Sequence, residues 1–162
     1  MLARLESDFS LHTETIRRLK AEMLLKLGRD AEAEGLLTAL VERQIRAGND
    51  AGPETAVARV VLACAYARNG ALDRARATAE LAVPVLLARR GLLHPTTLSA
   101  QSYVALFNAK AGDTAQPARF ALAERLERDA GWQSGAKALA RMLRTPLDTN
   151  APGHWRQLPL IS

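Results

Sequence analysis

The sequence predicts an all-α fold in which one helical hairpin is written three times. The composition is 48% hydrophobic, 24% charged and only 4% aromatic, and alanine and leucine, both strong helix formers, supply much of the apolar share. Gly28, Gly70 and Gly112 are spaced 42 residues apart, the fixed period that marks repeat architectures. Other columns keep that register. Fifteen residues before each glycine stand Thr13, Thr55 and Thr97; seven before stand Ala21, Ala63 and Ala105; two before stand Lys26, Arg68 and Lys110. The threonine column weighs most, because threonine is scarce here and a helix N-cap needs a side-chain oxygen. Ala33 and Ala75 follow the first two glycines by five residues, where the third unit has Pro117 and is degenerate.

Taken in order, Met1 aligns with Arg43 and Val85, so residues 1–12 read as the tail of a preceding repeat or an N-terminal capping helix. The repeat domain spans 13–145. Its first unit, 13–53, opens at Thr13 with Ile16, Leu19, Met23 and Leu27 at helical spacing on one face. Gly28 ends that helix, and a second from about Asp30 to Ala47 carries Ala33, Leu36, Leu37, Leu40 and Val41. The second unit, 54–94, runs from Thr55 to Asn69, turns at Gly70 and continues from Leu72 to about Arg90, with a kink or short break expected at Val83-Pro84. The third, 95–131, has helices over roughly Thr97 to Ala111 and Ala115 to Ala130. A capping helix over 133–145 offers Ala138, Leu139 and Met142 to the exposed end, and Pro146 stops it. The tail, 146–162, reads as extended and pinned by Trp155 or Leu160.

A small residue in mid-helix, a turn glycine after it and an alanine five residues later resemble the tetratricopeptide repeat. The 42-residue spacing and the linkers Gly52-Pro53-Glu54-Thr55-Ala56 and His94-Pro95-Thr96-Thr97-Leu98 are similar to its longer, kinesin-light-chain-like variety. HEAT-like helical pairs have periods in the same range but do not account for the three columns together. The resemblance covers about Thr13 to Ala130 and implies a right-handed α-solenoid of antiparallel hairpins, about three repeats plus terminal capping helices. Asn108, where a large apolar residue is usual, and Pro117 depart from the family pattern.

In such arrays the first helices line a concave groove. Their residues at thirteen, ten, six and two before the glycine form one stripe at helical steps. The resemblance therefore implies that Arg18, Glu22 and Lys26, then Val60, Cys64 and Arg68, then Ser102, Leu106 and Lys110 face a bound peptide, with Thr15, Val57 and Ser99 at the head of each row. Leu19, Met23, Val61, Ala65, Tyr103 and Phe107 fall to the core. The row Lys26, Arg68, Lys110 reads either as a ladder of cations for an acidic ligand or as last-turn charges that offset helix dipoles, worth about 0.3–1 kcal/mol each. Glu22, Cys64 and Leu106 stand where chaperone-binding members carry the asparagine and lysine of a carboxylate clamp, which argues against that ligand.

The net charge is +5, with 18 arginines to 4 lysines, which permits an acidic partner, but the cations are interleaved with acids along every helix. Nucleic-acid binding is the alternative function and rests on charge alone. No run of about 18 apolar residues and no signal peptide is present, so the expectation is a cytoplasmic protein without a membrane anchor. Cys64 is the single cysteine, and His12, His94 and His154 are scattered; His12 and His94 read as capping or loop residues ahead of helices, and no metal is expected. There is no phosphate loop or nucleophile elbow, so the chain is read as no enzyme and as needing no cofactor. The leading function is protein–protein interaction through the groove. In bacteria, arrays similar to this one are often appended to signalling kinases or transcriptional regulators, which implies a regulatory part of a larger protein. A homodimer through the array ends, at the N-terminal helix or the third hairpin, is also expected.

Overall fold

The computed structural model describes residues 2–109, 115–133, 135–145 and 154–160. Within them are seven α-helices and no strand: α1 (Leu2–Lys26), α2 (Asp30–Arg46), α3 (Pro53–Arg68), α4 (Leu72–Arg90), α5 (Pro95–Phe107), α6 (Gln116–Ala130) and α7 (Ala136–Arg144), followed by a 3-10 turn at His154–Gln157. Each helix packs on the next in chain order. In addition α1 touches α3, α3 touches α5 and α5 touches α7, whereas α2, α4 and α6 do not touch one another among the described residues. The odd-numbered helices thus form a layer of their own. At its centre lies α3, buried without interruption from Thr55 to Ala67.

The glycine turns follow from sequence. Gly28 and Gly70 take φ of +72° and +83°, a conformation that costs a residue without Cβ little. Each turn is closed by equivalent bonds, Arg29 N–H to the Leu24 carbonyl (2.9 Å) and Ala71 N–H to the Tyr66 carbonyl (2.8 Å). Gly112, with Lys110, lies outside the described residues.

The threonine column has a different role from the one expected. Gly52 and His94 are the N-caps of α3 and α5, because Pro53 and Pro95 supply the preset φ of a first turn and shift the start two residues upstream of the threonines. Thr55 and Thr97 are fully buried and reach back to the preceding helix. The Thr55 hydroxyl is shared between Gln44 Oε1 and the Asn49 carbonyl (2.6 Å), and that of Thr97 donates to the Leu86 carbonyl at 3.4 Å. Gln44 and Leu86 are themselves 42 residues apart, so the threonine is a joint between units. No proline precedes Thr13, and no glycine or proline lies between Leu2 and Lys26, so α1 runs through Thr13 and residues 2–12 form no separate helix.

A second correction concerns the first unit's core. Ile16, Leu19, Met23 and Leu27 are between 47% and 67% exposed, and the buried face of α1 is instead Ala21, Glu22, Leu24 and Leu25. The equivalents in α3 and α5, Val61, Ala65, Tyr103 and Phe107, are buried as expected. The difference is positional: α3 packs on α1 and α2, and α5 on α3 and α4, whereas among the described residues α1 packs only on α2 and α3. Helix α4 continues through Pro84 without a break; this proline is on the exposed side, where water can replace the lost bond to the carbonyl one turn back. Pro117 sits in the first turn of α6, where no donor is needed. Asn108 is the exposed C-cap of a shortened α5, and its amide donates to Glu80 (3.3 Å) and to the Val104 carbonyl (3.0 Å). At the far end α7 buries Ala136, Leu139, Ala140 and Leu143, with Ala138 and Met142 half-buried. No described helix is long and apolar enough to cross a membrane.

Candidate functional site

The layer of odd-numbered helices brings most of the expected stripe together. Arg18 and Glu22 on α1 face Val57 and Val60 on α3 and Ser99 on α5 around one pocket of about 440 Å³. One turn further along, Cys64 and Arg68 of α3 lie beside Tyr103 and Phe107 of α5. Ser102 and Leu106 are fully buried, and the Ser102 hydroxyl is spent on the Leu98 carbonyl of its own helix (2.6 Å). The basic row is described at two of its three positions. Lys26 is exposed, Lys110 lies outside the described residues, and Arg68 is turned inward.

This second stretch is covered by the chain itself. Leu158 is 0% exposed, with Trp155 and Leu160 nearly as buried, and burial of one leucine side chain contributes about 1.5–3 kcal/mol. The Trp155 ring meets Phe107 edge-on at 5.4 Å, and Phe107 in turn stacks with Tyr103 at 5.9 Å. Two consecutive carbonyls are held. Arg68 donates to the Leu158 oxygen from Nε (2.9 Å) and Nη2 (2.6 Å), and the Tyr103 hydroxyl donates to the Pro159 oxygen (2.6 Å). Proline has no N–H, so this residue brings no donor that the apolar face would leave unpaired. The Cys64 sulfur lies 3.8 Å from the same Leu158 oxygen.

Arg68 also spans the first unit. Its Nη1 donates to the Leu25 carbonyl at the end of α1 (2.7 Å) and lies 3.3 Å from Asp30 of α2. One guanidinium therefore closes the C-terminal end of α1, the start of α2 and the tail on α3 at once. That use combines the two readings of the residue: it offsets a helix dipole, but that of its neighbour, and it binds the tail segment, through its carbonyls.

Electrostatics sharpen the contrast between the two stretches. Under the tail, burial pushes the Cys64 thiol up to about 11 and the Tyr103 hydroxyl well above its ordinary range, so both stay neutral. The open pocket carries charges in pairs, Arg18 with Glu22 and Arg90 with Glu54 (2.9 Å). His94 borders it as the N-cap of α5, its Nδ1 accepting from Thr96 N–H at 3.2 Å. Burial and the adjacent Arg90 hold its pKa below the ordinary histidine value. His12, expected in a linker, lies inside α1. Trp132, 77% exposed, stands at the pocket rim.

Sequence reasoning pins the tail at Trp155 or Leu160 and misses Leu158, the most enclosed of the three. The available signal is the apolar spacing Trp155, Leu158, Leu160: the tail, expected to be extended, instead turns through a 3-10 helix at His154–Gln157, closed by Leu158 N–H to the Trp155 carbonyl (3.1 Å), and this brings residues three apart to one side. No family model, curated protein or solved structure matches the chain.

Proposed function

We propose that this chain is a protein-interaction module of tetratricopeptide-like hairpins, a short right-handed solenoid whose odd-numbered helices line a concave groove that binds a peptide segment of a partner. The observation that carries the reading is the segment already lying there, held by the carbonyls of Leu158 and Pro159 on α3 and α5. Main-chain recognition plus apolar pockets is how grooves take extended peptides. Contacts among α1, α3, α5 and α7, with none among α2, α4 and α6 in the described residues, support the solenoid. The nucleic-acid alternative loses support because many of the arginines are spent internally, on Glu14, Glu22, Asp30, Asp50, Glu54 and Glu127.

The resemblance further favours a regulatory part of a bacterial signalling or transcription protein, acting in the cytoplasm. Association through the N-terminal helix α1 belongs to the same reading, since Ile16, Leu19, Met23 and Leu27 form an exposed apolar row. A monomer at high concentration in sedimentation equilibrium removes that part.

The test is a selection of random twelve-residue peptides against the full chain and against its Leu158→Asp variant. The expected result is enriched peptides, on at least one of the two, whose binding is lost with Val60→Arg in the pocket and kept with Phe120→Arg on the exposed side of α6. Peptides indifferent to Val60→Arg, or none enriched on either protein, contradict the reading.

A further inference from the structure

The groove between the odd-numbered helices has two stretches of different standing. Over α3 and α5 it is filled by residues 154–160; beside Leu160 it opens into the pocket of about 440 Å³, whose apolar wall is Leu19, Val57, Val60 and Val61. The filled stretch reads two carbonyls and the apolar side chains at 155, 158 and 160. None of these contacts requires the segment to belong to the same chain. A tethered segment acts as a competitor at an effective concentration on the order of millimolar, so an incoming ligand displaces it only by making contacts that the tether does not make. The open pocket supplies such contacts.

Resting on the peptide-binding reading above, we propose that residues 154–160 are a built-in occupant of the groove, displaced by a segment of another protein that can adopt the same turn. That segment carries an aromatic residue, a leucine three positions later and an apolar residue two further on, then one more apolar side chain that enters the pocket over Val57 and Val60. It gains entry at the open pocket and takes over the carbonyl contacts of Arg68 and Tyr103 from the tail. The free chain is thereby kept from binding weak, generic apolar peptides, and only a ligand that spans both stretches opens it.

The experiment measures fluorescence anisotropy of a labelled nine-residue peptide of sequence His-Trp-Arg-Gln-Leu-Pro-Leu-Ile-Ser, titrated with three full-length proteins: wild type, a Trp155→Ala/Leu158→Asp variant that unseats the tail, and that variant with Tyr103→Phe. Circular dichroism confirms each fold, and Leu158→Ser alone replaces the double variant if that unfolds. The expected result is binding at least tenfold tighter to the unseated variant than to wild type, weakened several-fold by Tyr103→Phe, with the oligomeric state unchanged by the tail substitutions. Equal affinity for wild type and the unseated variant overturns the proposal, because nothing then competes. No binding to either folded protein also overturns it, and makes the tail a structural strap; peptides selected on the open pocket would still stand. A wild-type dimer that dissociates when the tail is mutated overturns it in favour of tails exchanged between two copies.

Discussion

The Arg68 guanidinium donates two hydrogen bonds to the carbonyl oxygen of Leu158, ninety residues further along the chain, at 2.9 Å from Nε and 2.6 Å from Nη2. The same group holds the Leu25 carbonyl at 2.7 Å. Removing it leaves Asp30 and two carbonyls without their cation, and a charged hydrogen bond contributes about 1.5–3 kcal/mol net. Arg68→Ala is therefore expected to lower the free energy of unfolding by about 2–4 kcal/mol, read from urea titration, after discounting for non-additive contacts. Arg68→Lys is expected to recover less than half of that loss, because an ammonium lacks the fork that reaches three acceptors. Full recovery by lysine would mean that charge alone matters.

The two joint threonines differ in what their loss strands. Thr55→Val leaves both Gln44 and the Asn49 carbonyl without the shared hydroxyl, and is expected to cost about 1–3 kcal/mol. Thr97→Val gives up one long bond of 3.4 Å and is expected to cost under about 1 kcal/mol. Denaturant midpoints of the two variants decide it, and equal losses contradict the joint at Thr55.

His94 gives the stability a dependence on pH. Its folded-state pKa lies below the unfolded value of about 6.5, so the neutral ring contributes stability that is full above pH 6.5 and is lost as pH falls through the folded value. Protonation of Nδ1 also removes the acceptor for Thr96 N–H. The urea midpoint is expected to fall on going from about pH 7.5 to pH 5, and His94→Asn, a cap that does not titrate, is expected to flatten that part of the profile. An unchanged slope in the asparagine variant places the titration elsewhere.

Two turn glycines separate backbone strain from tail seating. Gly70 and Gly135 share a φ of +83°, but a Cβ at Gly70 meets nothing within 4 Å, whereas one at Gly135 falls 2.5 Å from the Leu160 carbonyl. Gly70→Ala is expected to cost about 1 kcal/mol from conformation alone. Gly135→Ala should cost more and also loosen the tail, visible as a change in the fluorescence of Trp155, which packs on Phe107. Matching costs and unchanged tryptophan emission contradict the seat at Leu160.

Much of the helical layout is legible in the sequence because it rests on local chemistry. Glycines at Gly28 and Gly70, prolines at Pro53 and Pro95, and the helical spacing of Leu37, Leu40 and Val41 each act within a few residues. Part of the candidate site is legible for the same reason: Arg18, Glu22 and Val60 do meet around one pocket. What the sequence hides is which faces find a neighbour. Leu19 and Val61 stand 42 residues apart in equivalent places on α1 and α3, yet only Val61 is buried, because α3 has helices packed on more sides than α1 among the described residues, and the stripe itself does not encode that. Leu158 is hidden likewise, since its partners Cys64 and Arg68 lie about ninety residues away and no periodicity links them.

The most direct measurement uses the single cysteine. Cys64 is fully buried beneath Leu158, with its thiol pushed up to about 11, so in the folded wild-type chain it should react slowly with a thiol-exchange reagent at pH 8. If residues 154–160 cover the groove in solution, the Trp155→Ala/Leu158→Asp variant, still helical by circular dichroism, reacts at least tenfold faster than wild type. Equal rates in two equally folded proteins would mean that the tail does not lie on α3, and would contradict the account at its centre.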